Sequence, residues 1–291
     1  MNKYIIITCV KNEADVIEKT LKSVVNQTFL PIEWLIIDDN SDDETLKIVQ
    51  NFSKDYKWIR SLKNDKINLS EKGARIASIV NYYLNKIVNK DYKFFSKLDG
   101  DVELPNDFFE KMIHQFLNEE ELGIASGSLI YDGKKEKVIY KDLTRGATKF
   151  YRKECFIQIG GLQKTTGWDT LDNITAQTKG WRTRVLDIEF EHLEEEGLSQ
   201  GFFNKYYHSG MYYGKIPYHS WYFLLKVIYR IFDKPVIISS IIYCLGYIKT
   251  RFITRERPFP KEAGRFVIPC TGGPDGRPRR RRNRGRGPRF L

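Results

Sequence analysis

The sequence predicts an α/β fold in which crossover helices connect the strands of a parallel β-sheet. Two features of the first hundred residues predict it. Apolar, β-rich runs alternate with runs of helical periodicity at the spacing of strand–helix units. Each of three apolar runs is also followed directly by polar residues. Ligands bind beyond the carboxyl ends of strands in open parallel sheets, so these polar residues stand where a ligand site is expected.

The strand–helix units follow one another along the chain. Strands are predicted at residues 4–10, 34–37 and 92–98, and helices at residues 15–26, around 46–52 and at 74–88. The three strands end, in order, in Lys11-Asn12-Glu13, in Asp38-Asp39-Asn40-Ser41 and in Asp99-Gly100-Asp101. A parallel arrangement brings these polar ends to one edge of the sheet.

After residue 104 the pattern is less regular. It predicts a helix at 107–117, strands at 124–131, 149–151 and 183–190, and a helix that ends near Gly180. Residues 221–248 are rich in aromatic and branched side chains and fit two amphipathic helices. The apolar run 235–248 is shorter than the roughly 20 residues that a membrane-spanning helix needs. We therefore expect a C-terminal helical extension rather than a membrane span.

The positive charge is concentrated at the C-terminus. The chain has a net charge of +11, and residues 264–291 contain nine Arg and one acid, which leaves +3 for residues 1–263. The folded part therefore does not indicate a nucleic-acid partner. The Arg/Gly/Pro tail at 263–291 is predicted to be disordered. It is interpreted as a fused or frame-shifted end, as an RNA- or phosphate-binding arm, or as a lipid-headgroup patch.

The cysteines and the N-terminus indicate a cytoplasmic location. Cys9, Cys155, Cys244 and Cys270 are scattered and have no metal-binding spacing, which favours incidental reduced thiols. The first nine residues lack the basic start and the longer apolar core of an export signal. They are interpreted as a strand.

The segment Asp99-Gly100-Asp101 is the first candidate for chemistry. Two carboxylates that flank a small residue at a strand end can converge on one divalent cation, and oxygen-rich sites suit Mg²⁺ or Mn²⁺. Such a cation neutralises a pyrophosphate leaving group. A solvated turn explains an isolated Asp-x-Asp equally well. The second acidic strand end, Asp38-Asp39, favours a site, because its carboxylates can accept hydrogen bonds from a nucleobase or a ribose.

Three segments resemble the family 2 glycosyltransferases: IIITCVKNEADVIEKTLKSVVNQTF, EWLIIDDNSDDET and SKLDGDVELPNDFFEKM. The resemblance covers roughly residues 1–200. It implies a GT-A fold, which is a Rossmann-like nucleotide-diphospho-sugar transferase sandwich. It also implies inverting transfer of a sugar from a nucleotide-diphosphate donor, commonly a UDP-sugar, to a hydroxyl of a glycan or lipid-linked acceptor. The segment from Gly167 to Asp172 resembles a subgroup of bacterial surface-polysaccharide enzymes.

The resemblance divides the chain into four parts. Residues 1–104 would form the nucleotide-sugar-binding half, and residues 105–200 the acceptor and catalytic half of the same GT-A domain. Residues 201–262 would form a helical, membrane-proximal extension, followed by the tail at 263–291.

The resemblance also implies a donor site. Asp39 would contact the base, and Arg75 would approach the base or the diphosphate. Asp99 would reach the ribose or the metal, and Asp101 would hold the metal, Mn²⁺ or Mg²⁺. The other implied donor-site residues are Thr8, Val10, Lys11, Asn12, Glu13, Asp38 and Gly100.

Asp169 and Asp172 are the candidates for the catalytic base. The family usually has a Glu-Asp pair with a Gly eleven residues after the Asp, and Gly180 stands in that relation to Asp169. Trp168 replaces the usual Glu. The i, i+3 spacing predicts that the two aspartates share a helix face. The alternative for each is a structural acid at a helix N-terminus, where the macrodipole favours negative charge.

Three further expectations concern the metal, the acceptor and the membrane. His192 is interpreted as a third metal ligand or as a surface residue beside four acids. Trp168, Tyr212 and Tyr213 are interpreted as acceptor-stacking residues or as core. Lys226, Arg230 and Lys234 among apolar residues fit peripheral contact with the inner face of the cell membrane, or docking onto the core.

Two other function classes are weighed against the transferase. A non-catalytic nucleotide-binding protein, or an RNA-associated protein that uses the basic tail, is the alternative. A sugar-nucleotide nucleotidyltransferase is disfavoured, because residues 10–15 lack a Gly-rich loop with Arg and Lys.

Overall fold

A computed structural model describes residues 3–69, 71–136, 138, 140–194, 201–215, 223–224, 227–228 and 237–255. The strands are β1 (Tyr4–Val10), β2 (Glu33–Asp38), β3 (Ile59–Lys63), β4 (Phe94–Leu98), β5 (Val102–Glu103), β6 (Leu122–Tyr131), β7 (Lys134–Lys135), β8 (Thr148–Arg152) and β9 (Arg182–His192). The helices are α1 (Ile17–Val25), α2 (Thr45–Asp55), α3 (Lys72–Tyr83), α4 (Phe108–Asn118), α5 (Lys153–Ile159), α6 (Trp168–Thr178), α7 (Gly201–Lys215) and α8 (Ile238–Ile248). A short 3₁₀ helix (Leu84–Lys86) follows α3, and a π-helical turn (Lys249–Thr254) follows α8.

In the described part of the chain, the strands form one mixed sheet in the order β3-β2-β1-β4-β8-β6-β9-β5, with β7 paired to β6. The strands β1, β2 and β4 are parallel, as predicted, and β3, for which no strand was predicted, pairs in parallel with β2. Beyond β4 the sheet is mixed, because β8 is antiparallel to both β4 and β6 whereas β9 is parallel to β6. Parallel neighbours need a crossover connection, usually a helix. Residues 132–147, between β6 and β8, contain no described helix.

Helices cover both faces of the sheet, which explains why β1, β2 and β4 are buried along almost their whole length. Side chains of β1 alternate between two cores. Tyr4 and Ile6 pack with apolar residues of α1, α2 and α4, whereas Ile5 and Ile7 pack with residues of α3, α5 and α6. The carboxyl ends of the strands therefore remain the edge at which polar side chains can gather.

The C-terminal extension packs on the rest of the domain through α6. Apolar side chains of α8 form a small core with Leu171 and Ile174 of α6. Helices α7 and α8 are in backbone contact, because a Cβ atom added at Gly210 would lie 2.0 Å from the carbonyl oxygen of Tyr243. Lys215, at the end of α7, is buried and donates a 2.6 Å hydrogen bond to the Thr165 hydroxyl. The extension thus contacts the helix that begins at Trp168.

The two-helix prediction for residues 221–248 can be compared with the structure mainly at α8. Lys226, Arg230, Lys234 and the Arg-rich tail lie outside the described residues. Among the helices that are described, none has the length and apolar character needed to cross a membrane.

Candidate active site

One cleft of about 540 Å³ brings together residues from both predicted halves of the domain. Asp39 follows β2, Asp101 follows β4, and Asp169 lies in the first turn of α6, and all three line this cleft. The other lining residues are Cys9, Val10, Lys11, Asn12, Glu13, Arg75, Ile76, Lys97, Asp99, Gly146, Trp168 and Glu194.

The loops after β1 and β2 are fastened to each other by side-chain to backbone hydrogen bonds. The Asn12 backbone N–H donates to the Ser41 hydroxyl at 3.0 Å, and the Asn12 side-chain oxygen accepts from the Asp42 N–H at 2.8 Å. The Glu13 N–H donates to the Thr45 hydroxyl at 2.8 Å. Asn12 has a positive φ of 56°, a conformation that Asn tolerates better than most residues. These bonds make the floor of the cleft rigid.

Asp39 is oriented by two neighbours. The Asn64 side-chain amide donates to one carboxylate oxygen at 2.8 Å, and Arg75 Nε lies 2.9 Å from the other. The Asp39 side chain is only 10% exposed, so both contacts are largely shielded from water. Asn64 is a residue that sequence reasoning missed. Its signal is a lone amide directly after β3, the strand beside β2.

Asp99, Asp101 and His192 form a group with the chemistry of a metal site. One potential ligand atom from each lies within 4.8 Å of the others. The antiparallel pairing of β5 with β9 places His192 opposite Val102, the residue after Asp101. His192 Nδ1 lies 2.6 Å from the Glu194 carbonyl oxygen. Since a carbonyl only accepts, Nδ1 carries a proton, and Nε2 is the ring nitrogen that faces Asp101, 3.7 Å from its Oδ2.

The electrostatics around this group favour a cation. Burial, and then the neighbouring Asp99, raise the pKa of Asp101 to about 6, while His192 opposes the shift. Burial, and then Asp101 and Asp99, raise the pKa of Glu13 well above its ordinary value. Among the residues that the structure describes, none is a hydrogen-bond partner of the buried Glu13 Oε2. Carboxylates and one imidazole suit Mn²⁺ or Mg²⁺, so the residues present fit the cation that the resemblance implies.

Lys97 is a second residue that sequence reasoning missed. Its side chain is 3% exposed, and its ammonium pairs with Asp99 and donates to the Gly146 carbonyl oxygen at 3.2 Å. Burial lowers the pKa of Lys97, but Asp99 more than offsets this and the net pKa is raised. The ammonium also lies 5.3 Å from the centre of the Trp168 ring. A lysine near the end of an otherwise apolar strand was its sequence signal.

Asp169 and Asp172 have different surroundings, and only Asp169 lines the cleft. The Asp172 side chain is fully buried. Its carboxylate accepts hydrogen bonds from the Lys149 ammonium and from the Tyr151 hydroxyl. Lys149 also donates to the Asp169 carbonyl oxygen. The i, i+3 pair therefore does not present two carboxylates to one site, because the interior lysine and tyrosine bind the second.

Three predicted donor-site residues lie behind or beside the cleft rather than in its lining. Thr8 is fully buried, and its hydroxyl accepts a 2.9 Å hydrogen bond from the Trp34 indole. Asp38 is 2% exposed. Gly100 packs against Glu13, where a Cβ atom would lie 1.9 Å from the carboxylate.

The three aromatic residues predicted to contact the acceptor also differ in whether they line the cleft. Trp168 lines the cleft, with the ammonium groups of Lys97 and Lys149 at 5.3 and 5.5 Å from its ring centre. Tyr212 packs against Gly167, and Tyr213 packs edge-on against Tyr243 of α8. Of the three aromatics, only Trp168 lines the cleft.

Known proteins resemble this chain in fold and in its N-terminal sequence. A mannosyltransferase from Pyrobaculum calidifontis, solved with GDP-Man and Mn²⁺, has a TM-score of 0.56 at 14% identity over 93% of this chain and 76% of its own. Staphylococcus aureus TarS 1-349 in complex with UDP-GlcNAc has a TM-score of 0.53 at 15% identity over 91% and 75%. The architecture is therefore the GT-A fold.

Curated relatives match part of the chain. A GalNAc(5)-diNAcBac-PP-undecaprenol beta-1,3-glucosyltransferase of Campylobacter jejuni is 32% identical over 104 residues, which is 36% of this chain and 31% of the relative. A poly-beta-1,6-N-acetyl-D-glucosamine synthase of Staphylococcus epidermidis is 28% identical over 120 residues, 40% of this chain and 26% of the relative. The matches span about a quarter to a third of these relatives.

The model of the glycosyl transferase family 2 matches residues 5–174. That range includes more than half of the chain and ends just beyond Asp169 and Asp172. The chain belongs to glycosyl transferase family 2.

Proposed function

We propose that the protein transfers a sugar from a nucleotide-diphosphate donor to a hydroxyl of a glycan or lipid-linked acceptor, with inversion at the anomeric carbon. The observation that carries the proposal is the meeting of Asp39, Asp101 and Asp169 in one cleft. The three aspartates come from separate elements, and a nucleoside, the cation that neutralises a diphosphate and an acceptor hydroxyl each need one such carboxylate.

The donor is proposed to lie across the ends of β1, β2 and β4. Asp39, held by Asn64 and Arg75, offers fixed acceptor oxygens to the base or ribose. The backbone of residues 10–13, fixed by the bonds to the β2 loop, forms the opposite wall. A UDP-sugar is proposed as the donor. The two similar solved structures hold GDP-Man and UDP-GlcNAc, so both nucleotides belong in the test.

Asp99, Asp101 and His192 are proposed to hold Mn²⁺ or Mg²⁺. When bound there, the cation supplies charge neutralisation for the departing diphosphate. The protein's own contribution is to hold these three side chains close together. Nδ1 of His192 is fixed by the Glu194 carbonyl, which directs Nε2 toward Asp101.

Asp169 is proposed as the general base. It takes the proton of the acceptor hydroxyl while the hydroxyl oxygen forms the new bond to the anomeric carbon. The bond from that carbon to the diphosphate oxygen breaks on the opposite face, and the nucleoside diphosphate leaves with the bonding electrons. Asp172 cannot take this role without giving up its bonds to Lys149 and Tyr151. General-base assistance is typically worth about 10²–10⁴-fold in rate.

The acceptor is proposed to be a polymeric or lipid-linked glycan, as at a bacterial cell surface. The support is the activity of the relatives, one named for an undecaprenol-linked glycan and one for a polysaccharide synthase. Trp168 is the aromatic side chain best placed to stack on an acceptor ring, since it lines the cleft beside Asp169. With such an acceptor, the protein would work in the cytoplasm at the inner face of the membrane.

A donor screen tests the proposal. Thermal unfolding is measured with UDP-, GDP- and TDP-sugars in the presence of Mn²⁺, and donor hydrolysis is then followed with and without a chelator. We expect one nucleotide class to stabilise the protein, and hydrolysis to stop under chelation. A protein that none of the donors stabilises, and that hydrolyses none, would be a non-catalytic family member.

A further inference from the structure

Helix α8 has apolar side chains on two opposite faces, and within the described part of the chain only one of these faces packs against the domain. Between Ile237 and Ile248 there is no charged residue. Ile242, Tyr243, Gly246 and Tyr247 are buried against the domain. A helix that is apolar all round is normally buried or in contact with lipid. We therefore expect the second face of α8 to contact a binding partner.

The second face is a continuous stripe of large apolar side chains. Its members follow one another at three- or four-residue steps, which at 100° per residue puts them on one side of the helix. Each is between 46% and 59% exposed. The stripe consists of Ile238, Ile241, Leu245, Ile248 and Phe252.

Charge identifies the kind of partner that fits the stripe. Residues 216–255 contain six Lys or Arg and one acid, Asp233. Three of the basic residues, Lys249, Arg251 and Arg255, follow directly on the C-terminal end of α8. An apolar stripe beside a basic segment is typical of helices that lie in the surface of an anionic bilayer. A second copy of the chain would bring the same positive charges together, so self-association through this face is disfavoured.

We propose that the α8 stripe is a docking surface for an anionic lipid bilayer, on which α8 lies parallel to the membrane plane. The helix has 11 residues, too few to cross a bilayer but enough to lie in its surface. The docking needs no catalytic event. Its link to the proposed function is the acceptor, because a lipid-linked acceptor would be reached from this position.

Packing contacts within the domain connect α8 to the cleft. The packed face of α8 contacts Leu171 and Ile174 of α6, the helix whose first turn carries Asp169. Tyr212 of α7 packs against Gly167, directly before Trp168. Bilayer contact at the stripe therefore fixes the height of the base and of Trp168 above the membrane surface.

The test is vesicle co-sedimentation of the full chain. Vesicles of phosphatidylcholine alone are compared with vesicles of equal parts phosphatidylcholine and phosphatidylglycerol, in low salt and in salt high enough to screen the Arg-rich tail. The test variant is Ile241→Glu/Leu245→Glu. The control is Val88→Glu/Ile157→Glu, which places the same charges on two apolar positions elsewhere that are somewhat more exposed, at 68% and 67% against 54% and 51%. Ile241→Ser/Leu245→Ser provides a milder change, and thermal unfolding confirms that each variant is folded.

We expect the wild type and the control to bind the anionic vesicles, with binding that persists in high salt. The Glu variant should partition at least about tenfold more weakly, since two large side chains leave the bilayer. Equal binding of the test and control variants, or no wild-type binding in high salt, would overturn the proposal. A wild-type dimer that the Glu variant makes monomeric would assign the stripe to self-association instead. Asp169→Asn should bind vesicles like the wild type, which separates this inference from the catalytic one.

Discussion

His192 Nε2 lies 3.7 Å from Asp101 Oδ2, although the two residues belong to different halves of the domain. The short strand β5 creates this relationship, because it leaves the Asp99–Asp101 turn and pairs antiparallel with the end of β9. The carbonyl of Glu194 then orients the imidazole. The metal group is therefore a product of sheet pairing rather than of local sequence.

Substitution of either His192 or Asp101 should remove most of the increase in Tm that Mn²⁺ causes. We expect Mn²⁺ to raise the Tm of the wild type, and His192→Ala and Asp101→Asn to lose most of this increase, since each removes one of three clustered ligand groups. His114→Ala is the control, because His114 lies on α4 and contacts Asn118. An unchanged Mn²⁺ response in both site variants would exclude this cation site.

Stability without metal should depend on pH through Asp101. Its pKa is about 6 in the folded protein, against an ordinary value of 3.8. Between these values the folded state binds more protons than the unfolded state, so this carboxyl lowers the free energy of unfolding as pH rises from about 4 to about 6. Urea denaturation in chelator should show that the free energy of unfolding of Asp101→Asn, relative to that of the wild type, increases over this interval by at most about 3 kcal/mol.

Saturating Mn²⁺ provides the matched comparison for this experiment. Binding to the ionised carboxylate stabilises the folded wild type, so the wild type should then become the more stable protein above about pH 6. A stability difference that is independent of pH in chelator would contradict the raised pKa of Asp101.

Substitutions of the two aspartates of α6 should have different effects, one on turnover and the other on Tm. Asp169→Asn should lower turnover by about 10²–10⁴-fold while donor binding and Tm stay close to those of the wild type. Asp172→Asn should lower Tm markedly, because Lys149 loses its carboxylate partner. Turnover, donor affinity and Tm are measured for both. Full turnover in Asp169→Asn would exclude it as the base.

Removal of one member of the buried Lys149–Asp172 pair should lower the free energy of unfolding more than replacement of both members by apolar residues. Both side chains are fully buried, so removal of one leaves an unpaired interior charge, at about 3–5 kcal/mol. We expect Asp172→Leu alone to destabilise the protein by that amount, and Lys149→Met/Asp172→Leu to recover part of it. Denaturant unfolding of the two single variants and the double variant gives the coupling free energy. Strict additivity would show that the pair does not interact.

Gly100 should tolerate no side chain. A Cβ atom there would lie 1.9 Å from Glu13 Oε2 and 2.7 Å from Val10 Cγ1. Gly100→Ala should therefore displace the β1 loop, lower stability by about 1–3 kcal/mol and weaken Mn²⁺ binding. Gly146→Ala is the matched control for stability, because its Cβ would make an ordinary 3.5 Å contact with Asp169. Equal stability of the two variants would contradict the close packing at Gly100.

The sequence by itself determined the family, the acidic strand ends and the order of β1, β2 and β4, whereas β3 was not predicted. Hydrophobic periodicity and the short motifs are local, so β1 was predicted with its observed bounds and β2 and β4 to within two residues. The same locality explains why Asp39, Asp99, Asp101 and Asp169 can be singled out from their motifs alone.

Only the tertiary structure decided which of these side chains share a site. Asp169 and Asp172 carry the same group three residues apart, yet the cleft receives one and the Lys149–Tyr151 interior receives the other. Thr8 turns to Trp34, whereas Lys97 and Asn64 reach the carboxylates of the site. Partners for a buried polar group come from whichever elements pack around it, and long-range packing is not encoded in any local pattern.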